Sequence, residues 1–584
     1  MRQHILTTAL AAAVTALAYG QNLNPTVEVT NAYEGGASSI VKPAQQMAVP
    51  DSVTRFNLDF DYSVFEKPYE GAYEFRPYYV ELKPAPKPST EEKFYLRAGA
   101  GFTLHPELDF VWTPLRKEKF TLNLYGTHRS YFGRYHQFAV GAMEDGVNPF
   151  VKTDEKMNGY LADSKVGVDA SFGWDGGIAS LDLGYRHRMA DNAYHFQKLG
   201  GIEGRGRVRS LPSDEPHFLY DAAVEYHLLG TDYSHTYVTG NVYTPTFAES
   251  AFRLDGTFGP VLDAERRVLV DLDMDLARYR GDYSGYTGLL SATPRYQFTL
   301  DSWHFSLGAK FAALIYSEDF NAFSEDNRHK SGTVYPDVRI DFHLLDDRLI
   351  LQTSATGGDR FNTLTGRFFT YPFSESYYGH STERIRAMIG ARGNIASRFR
   401  YDLQAGYARW SHAPVESFEL RYDAPLTSSY VDPSAPVLLR PAVTEMSYNL
   451  LFAELDYGWK SGSVDVDGRL AWHHTNIKGD GAFAPAAITG FIRPAYHWGD
   501  RLKAGLDVSW STCRKATLTN ADGDVIENFR VPGWVDLGLF AEYRFTHRMG
   551  FWAKGGNLLN QAVQRTPLVA EAGMYFTAGI VLNF

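Results

Sequence analysis

Most of the chain consists of segments of about ten residues in which apolar and polar side chains alternate. In residues 501–511, Leu502 and Leu506 fall on one side of an extended backbone, and Lys503 and Asp507 fall on the other. A period of two is the pattern of β-strands whose two faces meet different surroundings. This pattern allows only a fold that is built almost entirely of two-sided strands.

We count about 22 such segments between residue 93 and the C-terminus, one of them beginning near His235. The connections alternate between tight turns, such as residues 175–177, and long stretches, such as residues 131–162 and 189–216. This alternation collects the turns at one end and the loops at the other, as in transmembrane β-barrels with an even strand number. The sequence predicts an all-β fold, a transmembrane antiparallel β-barrel of about 22 strands over residues 93–584. A soluble secreted all-β protein is the alternative.

The first 20 residues have the layout of a secretory signal peptide. Arg2 and His4 precede an apolar stretch, and small residues precede a cleavage position before Gln21. No later run of 18 apolar residues is found in the sequence, which excludes a helical membrane span. We therefore expect an exported barrel in the outer membrane of a Gram-negative cell, with outer-membrane lipid around it.

Residues 21–92 differ from the alternating region because they are rich in proline. Pro84, Pro86 and Pro88 predict an extended segment with polyproline character. We interpret residues 21–92 as an N-terminal extension that lies in the periplasm or fills part of the barrel.

Charge and cysteine content exclude several classes of function. The formal net charge is −11 and no run of Lys or Arg occurs, which argues against a nucleic-acid partner. The single cysteine, Cys513, excludes an internal disulfide. No Ser, Asp and His set predicts a catalytic centre, and no His or Asp spacing predicts a metal or cofactor site. We expect a protein that is not an enzyme.

Two rows of aspartates are candidates for the wall of the space that the barrel encloses, which we call the lumen. Asp271, Asp273 and Asp275 share one strand face, and Asp465 and Asp467 share another. Such residues could favour cations or polar solutes in the lumen, or could simply be part of an ordinary wetted wall.

The C-terminal strand carries a candidate assembly signal. Thr577, Gly579, Leu582 and the terminal Phe584 follow a polar, glycine, apolar and aromatic spacing. This spacing resembles the signal that the barrel-assembly machinery reads, and its physical basis would be pairing at a sheet edge. That machinery is therefore an expected partner during biogenesis.

Two segments resemble the barrels of TonB-dependent receptors, in particular those of Bacteroidota outer membranes. Residues 556–560 read Gly-Asn-Leu-Leu-Asn before the last strand, and residues 92–101 resemble the first barrel strand of that family. The resemblance covers residues 93–584 and implies uptake of a solute across the outer membrane. It also implies a plug domain, but residues 21–92 are too few for a full plug and lack its strand–helix pattern.

A short extended box near the N-terminus resembles the segment that pairs with TonB in such receptors. It consists of Thr26, Val27, Glu28, Val29 and Thr30. The same residues would also suit an ordinary linker, and the missing plug leaves energised transport open. We expect a protein of solute passage or uptake. The alternative is an accessory subunit, without transport, of an outer-membrane assembly or secretion complex that holds further subunits.

Overall fold

The computed structural model describes most of the chain from Lys93 onward. The described residues are 93–102, 104–140, 150–192, 195–213, 217–236, 242–243, 246–282, 284–317, 332–345, 348–370, 380–422, 437–477, 481–499, 501–519, 525–567, 570–571 and 573–584. The predicted signal peptide, the proline-rich extension and the TonB-type box from Thr26 to Thr30 lie outside the described residues.

The fold is a closed antiparallel β-barrel of 22 strands, as the sequence predicts. Its strands are β1 (Phe94–Phe102), β2 (Glu107–Lys117), β3 (Phe120–Val140), β4 (Phe150–Trp174), β5 (Gly177–Asn192), β6 (His195–Ser210), β7 (His217–Thr236), β9 (Thr246–Val261), β10 (Arg266–Gly281), β11 (Gly285–Leu300), β12 (Trp303–Tyr316), β13 (Thr333–His343), β14 (Ile350–Phe361), β15 (His380–Ile395), β16 (Phe399–Tyr422), β17 (Val437–Lys460), β18 (Val464–Thr475), β19 (Ile488–Trp498), β20 (Leu502–Ser511), β23 (Trp534–Arg544), β24 (Met549–Gly556) and β25 (Tyr575–Asn583).

Four smaller elements lie in the connections. The two-residue strand β8 (Val242–Tyr243) pairs with β7. Strands β21 (Arg514–Thr519) and β22 (Val525–Val531) form a separate hairpin between β20 and β23. Helix α1 (Leu364–Thr370) lies between β14 and β15. None of the helices among the described residues is long and apolar enough to cross a membrane.

The barrel closes where its first strand pairs with its last. The antiparallel register joins Tyr95 to Asn583 and continues to Phe102 opposite Phe576. The backbone N–H groups of Lys93 and Phe94 also donate to the carbonyl of Phe584. Because every strand then has two neighbours, the sheet has no unpaired edge in contact with lipid.

The alternation along each strand separates an apolar outer face from a polar inner face. On β10, Val268 and Leu272 remain 41% and 40% exposed and point outward, whereas Asp271 and Asp273 belong to the opposite row. Large apolar side chains are exposed in this way on strands all round the barrel. The outer face therefore suits hydrocarbon, and the chain is an outer-membrane β-barrel.

The two ends of the barrel carry connections of different length. Both termini of the barrel lie at the end with tight turns, such as Asp175-Gly176 between β4 and β5. The longer connections, including the one that contains α1, lie at the other end. In outer-membrane barrels short turns face the periplasm and long loops face the exterior, so we assign the loop end to the cell surface.

One strand differs from the sequence prediction, although the strand count is confirmed. β6 (His195–Ser210) lies inside residues 189–216, which the sequence indicated as a long connection. No barrel strand begins near His235, which is part of the end of β7. The outward row of β6 contains Gly200, Gly204 and Gly206, so the apolar half of its alternation is weak.

Several strands are also longer than the membrane requires. β3 and β4 have 21 and 25 residues, and β16 and β17 have 24 each, so residues 131–162 are largely strand. A span of about ten residues crosses the apolar layer. The remaining residues lie beyond lipid, where alternation is not required, and the sequence pattern fades there.

The structure generates a prediction for the assembly signal. Phe584 and Phe576 both point outward and are both 49% exposed. We expect Phe584→Ala to slow insertion several-fold in a pulse-chase assay of outer membranes. The free energy of unfolding of the purified barrel should change by less than about 1 kcal/mol, because this ring packs little. Phe576→Ala is the matched control, and equal slowing in both variants would contradict a signal at the terminal residue.

Candidate functional site

The inner wall of the barrel is lined by ion pairs between neighbouring strands. Asp271 accepts a hydrogen bond from Arg295 at 2.7 Å, and Asp273 lies 3.7 Å from the Nζ of Lys310. Asp275 lies 3.8 Å from Arg253. Each of the three aspartates predicted to face the lumen thus has a cation on an adjacent or nearby strand.

The second pair of candidate lumen residues also has partners on nearby strands, one a histidine and one an arginine. Asp465 lies 3.0 Å from the Nε2 of His497, and Asp467 lies 3.5 Å from Arg400. The inner wall therefore presents many charges with little local excess of either sign. A role of the five aspartates in selecting solutes stays a prediction.

A cluster of charged side chains on the inner wall lies beside the closure of the barrel. Glu107, on β2, forms ion pairs with Lys554, on β24, and with Arg97, on β1. The guanidinium of Arg97 also stacks 3.7 Å above the ring of Trp552. These contacts join β1 to the strands on both sides of the closing pair, β2 and β24. They therefore stabilise the closure of the barrel on its inner face.

The assembly-signal residues lie on this same closing strand. Thr577 and Gly579 belong to the inward row of β25, and Leu582 and Phe584 to the outward row. A Cβ atom at Gly579 would lie 1.9 Å from the carbonyl oxygen of Ala98, so the close pairing with β1 requires glycine. Recognition of these residues by the assembly machinery stays a prediction.

Helix α1 packs against the inner wall of strands to which its own connection is not joined. Leu364 and Phe368 are buried among Phe247 of β9 and Ala277 and Tyr279 of β10. The rings of Phe247 and Phe368 stack with their centroids 5.4 Å apart. Three barrel strands, β11 to β13, lie between β10 and β14, so the connection reaches across the inside of the barrel.

Polar groups anchor the same helix. The fully buried carboxylate of Glu249 accepts hydrogen bonds from the backbone N–H of Thr365 at 3.2 Å and from His227 Nε2 at 2.7 Å. The guanidinium of Arg186 lies 4.1 Å from the ring of Phe369. Since a buried carboxylate without donors is costly, Glu249 favours the docked position of α1.

The start of α1 is encoded locally. The hydroxyl of Thr363 accepts a hydrogen bond from the N–H of Gly366 at 2.9 Å, as an N-cap does. Leu364 and Phe368 are four residues apart and share one face of the helix. Sequence reasoning missed α1, but this cap followed by an i, i+4 apolar pair is the signal that could have found it.

A second feature spans the loop end of the barrel. The hairpin β3–β4 and the hairpin β16–β17 extend beyond the neighbouring strands, and their tips pair as antiparallel strands. The register joins Val140 to Val437 and Ala139 to Leu438. Eight barrel strands separate β17 from β3 in one direction, and ten separate β4 from β16 in the other. The two hairpins therefore meet from nearly opposite sides, and we call this pairing the arch.

The last long connection also folds against the inner wall. Arg565 donates to the carboxylate of Asp536 on β23 at 2.8 Å and lies 2.8 Å from Glu571. Its guanidinium stacks over the ring of Trp534 at 4.6 Å. Together with α1 and the arch, this connection narrows the extracellular end of the lumen. Among the described residues, no group of three or more His, Cys, Asp or Glu could hold a metal ion.

Comparison with known proteins shows a similarity of fold to several solved receptors and transporters. No protein-family model and no curated protein matches the sequence. Among solved structures, the FrpB iron transporter of Neisseria meningitidis has a TM-score of 0.60 at 9% identity, covering 90% of this chain and 83% of that chain. A variant of the ferric enterobactin receptor of Pseudomonas aeruginosa gives 0.57 at 10%, covering 84% and 80%. The copper transporter OprC gives 0.57 at 13%, with the same coverage.

The barrel shares the fold of these receptors and transporters, in agreement with the resemblance to TonB-dependent receptors that the sequence shows. At these identities the likeness concerns the fold, and it covers 84–90% of this chain. The interior of this barrel is partly filled, because α1 and the last long connection pack against the inner wall.

We predict that Phe368 holds α1 in place. Phe368→Ala should weaken the docked state by about 3 kcal/mol because it leaves a cavity against Phe247. Hydrogen–deuterium exchange of the amides of residues 364–370 should then be about a hundredfold faster. Phe311→Ala, on the outward face, is the control and should leave this exchange unchanged. Unchanged protection in Phe368→Ala would contradict the docking role.

Proposed function

We propose that this protein passes a polar solute across the outer membrane through its lumen, in the manner of a receptor-type uptake barrel. The observation that carries the proposal is the inner wall, where charged side chains form cross-strand pairs on strands distributed around the barrel. A wall of this kind is stable in contact with water and with polar solutes, as a path for a polar solute requires. The similarity to iron and copper transporters supports the same function.

The path that we propose enters at the loop end. The arch and α1 narrow this end, so an entering solute must pass beneath the arch and beside the helix. The narrowing supports selective uptake over free diffusion. No group in the proposal performs covalent chemistry, and we propose a protein that is not an enzyme.

We further propose that residues 1–20 are removed on export and that residues 21–92 take the place of a plug. The chain enters β1 at the turn end, so residues 21–92 precede the barrel on the periplasmic side. The box of Thr26, Val27, Glu28, Val29 and Thr30 would then be within reach of a periplasmic TonB-type partner. β-strand addition to that partner is the expected mode of contact.

A crosslink at the arch tests the path. In a Cys513→Ser background, Ala139→Cys with Leu438→Cys places two cysteines at directly paired positions, within the Cα separation that a disulfide needs. We expect oxidation to lower solute flux into proteoliposomes several-fold and a reductant to restore it. Each single cysteine variant is the control. A solute flux that is the same before and after oxidation would contradict entry beneath the arch.

Purification separates uptake from the accessory alternative. We expect the protein to be released from outer membranes as a single chain with measurable conductance in planar bilayers. The conductance of Phe368→Ala should be higher than that of the wild type. A chain that co-purifies with stable partner subunits and shows no conductance in either variant would overturn the uptake proposal in favour of an accessory barrel.

A further inference from the structure

Two arginines on the outward face of β10 lie just beyond its apolar row. The row runs from Val268 to Leu276 and ends at the extracellular side, where Arg278 and then Arg280 follow in the same outward positions. Both arginine side chains are exposed. Eight residues of strand cover about 27 Å, or about 20 Å along the membrane normal at the usual tilt, which is close to the thickness of the apolar band. The two guanidinium groups therefore lie at the level of the outer-leaflet headgroups.

These arginines differ from those of the inner wall because no described residue is an acidic partner for them. Their cross-strand neighbours are Ser250 and Tyr286 for Arg278 and Ala248 for Arg280. In the described part of the chain, neither guanidinium makes an ion pair or a hydrogen bond to a carboxylate. On the inner face of the same sheet, by contrast, Arg253 lies 3.8 Å from Asp275 and Arg295 lies 2.7 Å from Asp271.

The surroundings of the pair suit a lipid headgroup. Tyr226 and Tyr286 are outward and about half exposed, at the level where aromatic side chains border the apolar layer. The hydroxyls of Tyr226 and Ser250 are 3.0 Å apart and form a hydrogen bond beside Arg278. Arg278 and Arg280 are about 7 Å apart along the strand, so both can reach one phosphate group. Guanidinium groups bind phosphate with two parallel hydrogen bonds.

We infer that Arg278 and Arg280 form a binding site for the phosphate of a phosphorylated glycolipid of the outer leaflet. The charge is complementary, because two cations that have no acidic partner among the described residues lie at the height of the lipid phosphates. The apolar outward row beneath them, with Leu272 and Leu276, would contact the acyl chains of the same lipid. This site lies outside the lumen and does not depend on the proposed function.

The test uses the purified full-length barrel in detergent, with bisphosphorylated lipid A as the probe and native mass spectrometry as the readout. We expect Arg278→Gln with Arg280→Gln to lower the affinity for this probe about tenfold or more. Lipid A without phosphate should bind to the wild type no better than the phosphorylated probe binds to the double variant. The heat-dependent gel shift of folded barrels verifies that the exposed substitutions leave the fold intact. Arg280→Gln alone, further from the apolar row, should give an intermediate loss.

The matched control removes the same charge at the other end of the barrel. Arg501 and Arg548 are exposed in periplasmic turns, and Arg501→Gln with Arg548→Gln should leave the affinity unchanged. An equal loss of affinity in this control would show that binding of the probe depends only on the net charge of the protein, and it would overturn the proposed site. An unchanged affinity in the Arg278 and Arg280 variant would overturn it as well. If the double variant lowers the affinity for phosphatidylglycerol as much as it lowers the affinity for lipid A, the assignment to a glycolipid is overturned.

Discussion

The structure depends on one constraint, which is that no backbone N–H or C=O group can remain unpaired in hydrocarbon. Twenty-two strands meet this constraint by forming a closed barrel, in which the first and last strands pair with Tyr95 opposite Asn583. The closure is tight enough that a side chain at Gly579 would meet the carbonyl of Ala98. The terminal strand therefore carries two requirements at once, since it must complete the barrel and present its outward aromatic residues to lipid.

A closed barrel of 22 strands has a second requirement, because it is too wide for the side chains of its inner wall to pack against one another. A barrel of 22 strands encloses a lumen that must hold water or protein. The chain meets this need in two ways. Charged side chains pair across strands, as Glu107 does with Lys554 and Arg97. Connections from the loop end also fold back, and α1 buries Leu364 and Phe368 against β9 and β10. The lumen that results is polar and narrowed at the cell surface, which is the basis of the proposed uptake.

The sequence predicted the architecture well where lipid imposes a pattern. Val268, Leu272 and their neighbours must be apolar because they face hydrocarbon, so the strand is visible in the sequence. β6 was not recognised because its outward positions 200, 204 and 206 are glycines. Glycine is tolerated in contact with lipid but adds no apolar side chain to the alternating pattern. The segment near His235 was counted in place of β6, so the correct number of strands arose from two opposite errors.

The sequence by itself determined the all-β class, the barrel and its place in the outer membrane, since these follow from a local period of two and from the solvent on each face. It also indicated which aspartates share a face, because alternation along one strand is local. Only the tertiary structure decided what those aspartates pair with, that α1 docks three strands away from its own, and that two hairpins meet in the arch. Each of these contacts joins residues that are far apart in the chain, such as Thr365 with Glu249, and no local pattern records which distant partner a residue will meet.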